Sequence, residues 1–124
     1  MPRTAVPYSK FTANGRLTDP VGTTVDATLV TNGVVVDAAD PEHTLIRVTN
    51  TAAAAKTVTV KAGVGRQSWM AGSGDYTQSV PASGTVWLGP LTSARFQQRG
   101  SKVYLDFESG STGTVTVFKL PRAL

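Results

Sequence analysis

The sequence predicts an all-β, single-domain antiparallel β-sandwich, jelly-roll or immunoglobulin-like, of eight or nine short strands with an extended N-terminal arm. Three observations predict it. First, the 124 residues contain eighteen Thr and sixteen Val, β-branched residues that pack well on a pleated surface and restrict χ1 in a helix. Second, short runs of alternating apolar and polar residues recur about every 8–12 positions, the spacing of sandwich strands. Third, twelve Gly and seven Pro punctuate those runs, and these are the residues that turns require. The length suits one domain with one core.

Residues 1–22 read as the arm, and residues 23–124 as the sandwich. Pro2, Pro7 and Pro20 remove backbone donors, so no central strand fits there. Tyr8 and Phe11 are the large aromatics of this stretch, suited to docking on a neighbouring subunit.

From Thr23 the period becomes two. Val25, Ala27 and Leu29 alternate with Thr24, Asp26 and Thr28, and Asn32-Gly33 precedes Val34-Val35-Val36. Asn-Gly between apolar runs signals a hairpin, here with strands near 24–30 and 34–37. Residues 37–42 form a polar loop broken by Pro41. Thr44–Asn50 is a strand with Ile46 and Val48 inward and Arg47 outward. Four alanines, 52–55, are too few to nucleate a helix, and read as a hairpin loop into Lys56–Lys61, with Val58 and Val60 inward. Residues 63–75 are a glycine-rich loop around Trp69-Met70. Tyr76–Val80 and Thr85–Leu88 read as partner strands around a Pro81–Gly84 turn. Arg95–Gln97 is a short polar piece. Lys102–Phe107 and Thr114–Leu120 close the sequence of strands, and Pro121 stops the last.

The chain lacks cysteine and has a single histidine, His43. Disulfides, zinc–thiolate sites, iron–sulfur clusters and thiol nucleophiles are excluded. No Gly-x-Ser-x-Gly elbow is present, and Gly72-Ser73-Gly74 is ordinary loop composition. Asp26, Asp37, Asp40 and Glu42 lack the spacing of a calcium loop. Gly63-Val64-Gly65 lacks the third glycine of a dinucleotide fingerprint. The residues therefore predict no enzyme, no cofactor and no metal. No apolar run reaches bilayer length, and residues 1–10 lack the apolar core of a secretory signal. The net charge is +4, but the cations are scattered singly, without the aromatic interleaving of single-strand binders, so neither nucleic acid nor membrane is an expected partner. That pattern suits an acidic protein surface. Trp69 and Trp87 are the side chains best able to carry binding energy. If Val86 and Leu88 face inward, Trp87 points outward as an interface candidate, and a tryptophan at this position equally suits the core of a sandwich.

The second half carries a more specific pattern. Thr44–Asn50 ends in Asn. Lys56-Thr57-Val58-Thr59-Val60 follows, then Ser79-Val80-Pro81-Ala82-Ser83-Gly84-Thr85, Leu88-Gly89-Pro90-Leu91, Lys102-Val103-Tyr104-Leu105-Asp106-Phe107 and Val115-Thr116-Val117. This succession, over roughly residues 43–120, resembles the small head decoration (cement) proteins of tailed bacteriophages. The resemblance implies a non-enzymatic virion protein, made in the host cytoplasm, on the outer face of the capsid. It would bridge major capsid protein subunits, as a homotrimer or other homo-oligomer, with terminal arms crossing to neighbours. It implies no catalytic residues. The side chains placed by position and type as partner-binding are Arg3, Tyr8, Lys10, Phe11, Arg16, Trp69, Trp87, Arg95 and Arg99. The competing expectations are a head–tail or tail component, and a carbohydrate- or cell-surface-binding module that would expose Trp69, Trp87 or Tyr76 for stacking.

Overall fold

Valine, isoleucine and leucine at alternate positions of seven strands supply the core. Ile46, Val58, Val60, Val103, Leu105, Val115 and Val117 are all essentially inaccessible to solvent. The computed structural model describes residues 3–11, 15–37, 41–63, 72, 74–91, 93–98 and 102–120. Within them lie ten strands: β1 (Thr4–Ala5), β2 (Tyr8–Lys10), β3 (Thr23–Thr24), β4 (Val34–Val36), β5 (Thr44–Asn50), β6 (Lys56–Val60), β7 (Tyr76–Val80), β8 (Thr85–Leu88), β9 (Val103–Phe107) and β10 (Gly113–Lys119). Two short helices join them, α1 (Ala27–Asn32) and α2 (Ser93–Phe96).

One sheet has the order β1-β4-β9-β6-β7 and the other β2-β10-β5-β8, with β3 also paired to β10. From β3 onward every consecutive pair of strands except β6–β7 changes sheet. The order β4-β9-β6-β7 over β3-β10-β5-β8, antiparallel throughout, is that of a jelly roll, one of the two sandwich types expected. The two extra edge pairings are parallel: β1 on β4 and β2 on β10. Residues 3–11 of the segment read as an arm thus add a strand to each sheet of their own chain. Val6, between them, is buried.

The structure corrects three expectations. The hairpin around Asn32-Gly33 is replaced by α1. Asp26 caps the helix by accepting a hydrogen bond from the Leu29 N–H at 2.9 Å. Gly33, with φ of 79°, closes it and donates to the Leu29 carbonyl at 2.8 Å. Leu29 is the buried residue of the helix, and Val25, one residue before the cap, is buried with it. The second correction concerns the alanine loop: it crosses from β5 in one sheet to β6 in the other, so it is no hairpin.

The third correction is that β7 and β8 are not partners. The Pro81–Gly84 turn carries the chain between sheets, with β7 on β6 and β8 on β5. Asn50 fixes both crossings. Its buried Nδ2 donates toward the carbonyls of Ala54, Val80 and Pro81 at 3.0–3.2 Å. Its Oδ1 accepts from the Ala52 N–H at 2.9 Å, and its own N–H donates to the Gly84 carbonyl. A side-chain amide has both donors and an acceptor to offer, which is why the strand ends in Asn.

Candidate functional site

The outward face of the β2-β10-β5-β8 sheet carries Trp87, the exposed aromatic side chain among the described residues. Antiparallel register sets Trp87 of β8 opposite Arg47 of β5, and Arg47 opposite Thr116 of β10. Leu88 is buried and Val86 packs on the core, so Trp87 projects outward with 54% of its surface accessible. Its ring stacks on Phe118 of β10, with centroids 5.2 Å apart and planes 27° from parallel. Phe118 meets Phe11 in turn, at 5.5 Å. Phe118 is on the outer side yet almost fully buried, because these neighbours cover it.

Arg47 braces this group. Its guanidinium lies 5.8 Å from the Trp87 ring centre and 5.4 Å from that of Phe118, within cation–π range. It donates to the Asp19 carboxylate, to the Pro20 carbonyl at 2.6 Å and to Thr116 Oγ1 at 3.2 Å. These bonds clamp residues 19–20 across the face. They also leave Val21 86% exposed beside it. Among the described residues, Val21 and Trp87 are the large apolar side chains left open to solvent. At the β2 end, Lys10 and Lys119 are register partners, and the Lys119 ammonium lies 5.1 Å from the Tyr8 ring centre. The outward face therefore has an apolar–aromatic centre braced by the Arg47 guanidinium, while Tyr8, Lys10 and Lys119 alternate to the other side of the sheet, in line with buried Val117.

Of the nine residues expected to touch a partner, Phe11 and Trp87 are joined on the outward face through Phe118, whereas Tyr8 and Lys10 belong to the same sheet but to its core-facing side. Arg16 is exposed. Arg3 is on the opposite sheet, engaged within the fold. It pairs with Asp106 at 2.6 Å, donates to the Leu105 carbonyl at 3.0 Å and lies over the Tyr104 ring. Arg95 is likewise occupied, by the Gly74 and Asp75 carbonyls and the Phe96 ring. Trp69 and Arg99 lie outside the described residues. Arg47, Phe118, Asp19 and Val21 were not among the expected contacts. The outward position of Arg47 was legible in the alternation of β5. Phe118 was hidden in an apolar run, although it shares its side of β10 with Thr116.

The resolved titration shifts lie away from this face. Asp75 is held below its ordinary value, chiefly by the Ala62 backbone N–H at 2.6 Å and then by Lys61 at 2.8 Å. Lys61 is raised by the same bond with Asp75. Glu108 is lowered by the backbone N–H of Thr57, then by its hydroxyl. Asp75 and Lys61 join the segment after β6 to the residue before β7, and Glu108 joins the β9–β10 turn to β6. His43 ends a 3-10 turn before β5, and its carbonyl accepts from the Leu120 N–H. Among the described residues no three His, Asp or Glu side chains gather as a metal site, and no helix is long and apolar enough to cross a membrane. A groove of about 340 Å³ between α1 and the β9–β10 turn contains Asp26, whose carboxylate is already committed to the helix cap.

Comparison with protein-family models, with curated proteins and with solved structures finds no match to this chain.

Proposed function

We propose that this chain is a non-enzymatic structural protein of a tailed-phage virion. It binds the outer surface of the head and stabilises it by bridging major capsid protein subunits. The order of motifs over residues 43–120 supports the virion reading. The observation that carries the binding role is Trp87: a large aromatic held out to solvent, stacked on Phe118 and braced by Arg47. A rigid, half-exposed tryptophan loses little conformational freedom on docking, which is why such residues dominate binding energy. The exposed cations Lys10 and Arg16 favour an acidic partner surface. The jelly roll supplies a stiff platform and is used by virion and lectin domains alike, so the fold alone does not choose between them.

The test is occupancy of purified heads that lack this protein. Saturable binding, lost with Trp87→Ala and weakened by salt through screening of exposed charges, supports the reading. Heads left unbound by the wild-type chain contradict it.

The exposure of Trp87 favours one other reading, a carbohydrate-binding module that stacks sugar on the indole. Binding to a defined glycan on an array, abolished by Trp87→Ala, selects that reading over the first.

A further inference from the structure

The two margins of the jelly roll are built differently. On the β1/β2 side the edge strands are two and three residues long, with Pro7 between them and Lys10 at the end. Short strands, proline and lysine are the devices by which sheets prevent other strands from adding. The β7/β8 side has a five-residue edge strand, Tyr76-Thr77-Gln78-Ser79-Val80, with no charge and no proline. Its middle three residues are exposed. Among the described residues, β7 pairs only with β6, so its other side presents unpaired main-chain groups. The nearest acid, Asp75, is neutralised by Lys61.

We propose that β7 is a strand-addition edge for a second copy of this chain, pairing antiparallel with its own counterpart about Gln78. The sequence of β7 is complementary to itself in that arrangement. Full overlap of two antiparallel copies sets Gln78 opposite Gln78, Thr77 opposite Ser79, and Tyr76 opposite Val80. On the inner side, Val80 belongs to the core and Tyr76 packs against it, so apolar meets apolar. On the outer side, where Thr77 already exchanges a hydroxyl contact with Thr59 at 3.1 Å, hydroxyl meets hydroxyl. At the dyad, each Gln amide offers donors and an acceptor to its twin. No like charges oppose one another. The product is one continuous sheet made from two five-stranded sheets, and main-chain hydrogen bonds supply the attraction. The β8 edge is shorter and ends at Gly89-Pro90, which suits it less. This proposal does not rest on the capsid reading.

The chain has no cysteine, which makes a single-cysteine test clean. Directly opposed residues of antiparallel strands have Cα atoms about 4.5–5.5 Å apart, inside the disulfide range of about 4.4–6.8 Å. Under mild oxidation of the purified chain, Gln78→Cys is expected to form a covalent dimer at least about ten-fold faster than Thr28→Cys, an exposed control on α1. In sedimentation equilibrium the wild type is expected to dimerise reversibly. Gln78→Lys, which opposes two like charges at the dyad, is expected to raise the dimer Kd by about ten-fold or more with an unchanged circular dichroism spectrum. A wild type still monomeric at about 1 mM, where even very weak association shows, overturns the proposal. So do equal cross-linking rates at positions 78 and 28, or a dimer indifferent to Gln78→Lys. These readouts use the isolated protein, so they fail or succeed separately from head binding.

Discussion

Trp87 and Phe118 stack 5.2 Å apart although a whole strand, β5, separates the strands that bear them. The indole reaches across the sheet beside Arg47, so one residue carries both an internal contact and the outermost apolar surface of the face. Its two roles separate by measurement. Trp87→Ala removes a half-exposed ring and one aromatic pair, so a loss of about 1–2 kcal/mol in urea denaturation is expected. Partner affinity is expected to fall by about 2 kcal/mol or more, roughly thirty-fold, as for a central interface residue. Equal small effects on both would remove Trp87 from the interface.

Phe118 behaves oppositely. It is almost wholly buried beneath Trp87 and Phe11, so Phe118→Ala is expected to cost about 3–5 kcal/mol of stability. A double-mutant cycle with Trp87→Ala is expected to return a coupling of about 0.5–1.5 kcal/mol. Additive effects would mean the stacking carries no energy of its own.

Asn50 holds three carbonyls and one N–H from two crossings between the sheets. Asn50→Ala leaves those groups without this partner near the core. A loss of about 2–4 kcal/mol is expected, with Asn50→Asp also impaired because a carboxylate cannot donate to carbonyls. Wild-type stability in either variant would contradict this role.

Residues 3–11 are integral to both sheets. Arg3 bonds to Asp106 and the Leu105 carbonyl, Val6 is buried, and the Phe11 N–H donates to the Lys119 carbonyl. Removing residues 1–11 is therefore expected to destabilise the isolated domain by about 3 kcal/mol or more. A truncated chain with an unchanged denaturation midpoint would show that this segment contributes nothing to folding.

The Asp75–Lys61 pair sets a pH dependence. Asp75 lies below its ordinary value of 3.8, so its contribution is present above that pH and is lost as pH falls through the lower native value. Lys61 lies above its ordinary value of 10.5, so its contribution is present below that pH and is lost as pH rises through the higher native value. Both groups are partly exposed, which keeps the contribution small. Asp75→Asn is expected to lower the urea midpoint slightly at neutral pH and to flatten both the acid and the alkaline limbs. Unaltered limbs would show that the pair is idle.

The fold class was legible because β-branched alternation survives in nearly every strand, and Ile46/Val48, Val58/Val60 and Leu105/Phe107 turned inward as the period required. What alternation does not encode is which sheet a strand joins. The Pro81–Gly84 turn has hairpin chemistry, yet Asn50, thirty positions away, directs it into a crossing. At α1 the alternation of Val25, Ala27 and Leu29 imitated a strand and Asn32-Gly33 a hairpin turn, because the helix is only six residues long and buries one side chain, Leu29, too few for a helical period to show. Trp87 was legible on the outward side of its strand. Its companions were not, because Phe11, Arg47, Asp19 and Phe118 are joined only by sheet register and tertiary packing.

The most direct test of the proposed virion role is cryo-electron microscopy of tailed-phage particles from the source of this chain, with the particle proteins identified by mass spectrometry. The account predicts density for the jelly roll on the outer face of the head, spanning capsid subunits, with Trp87 and Val21 turned toward them. Heads without this density, and peptides of the chain confined to tails or missing from the particle, would contradict it.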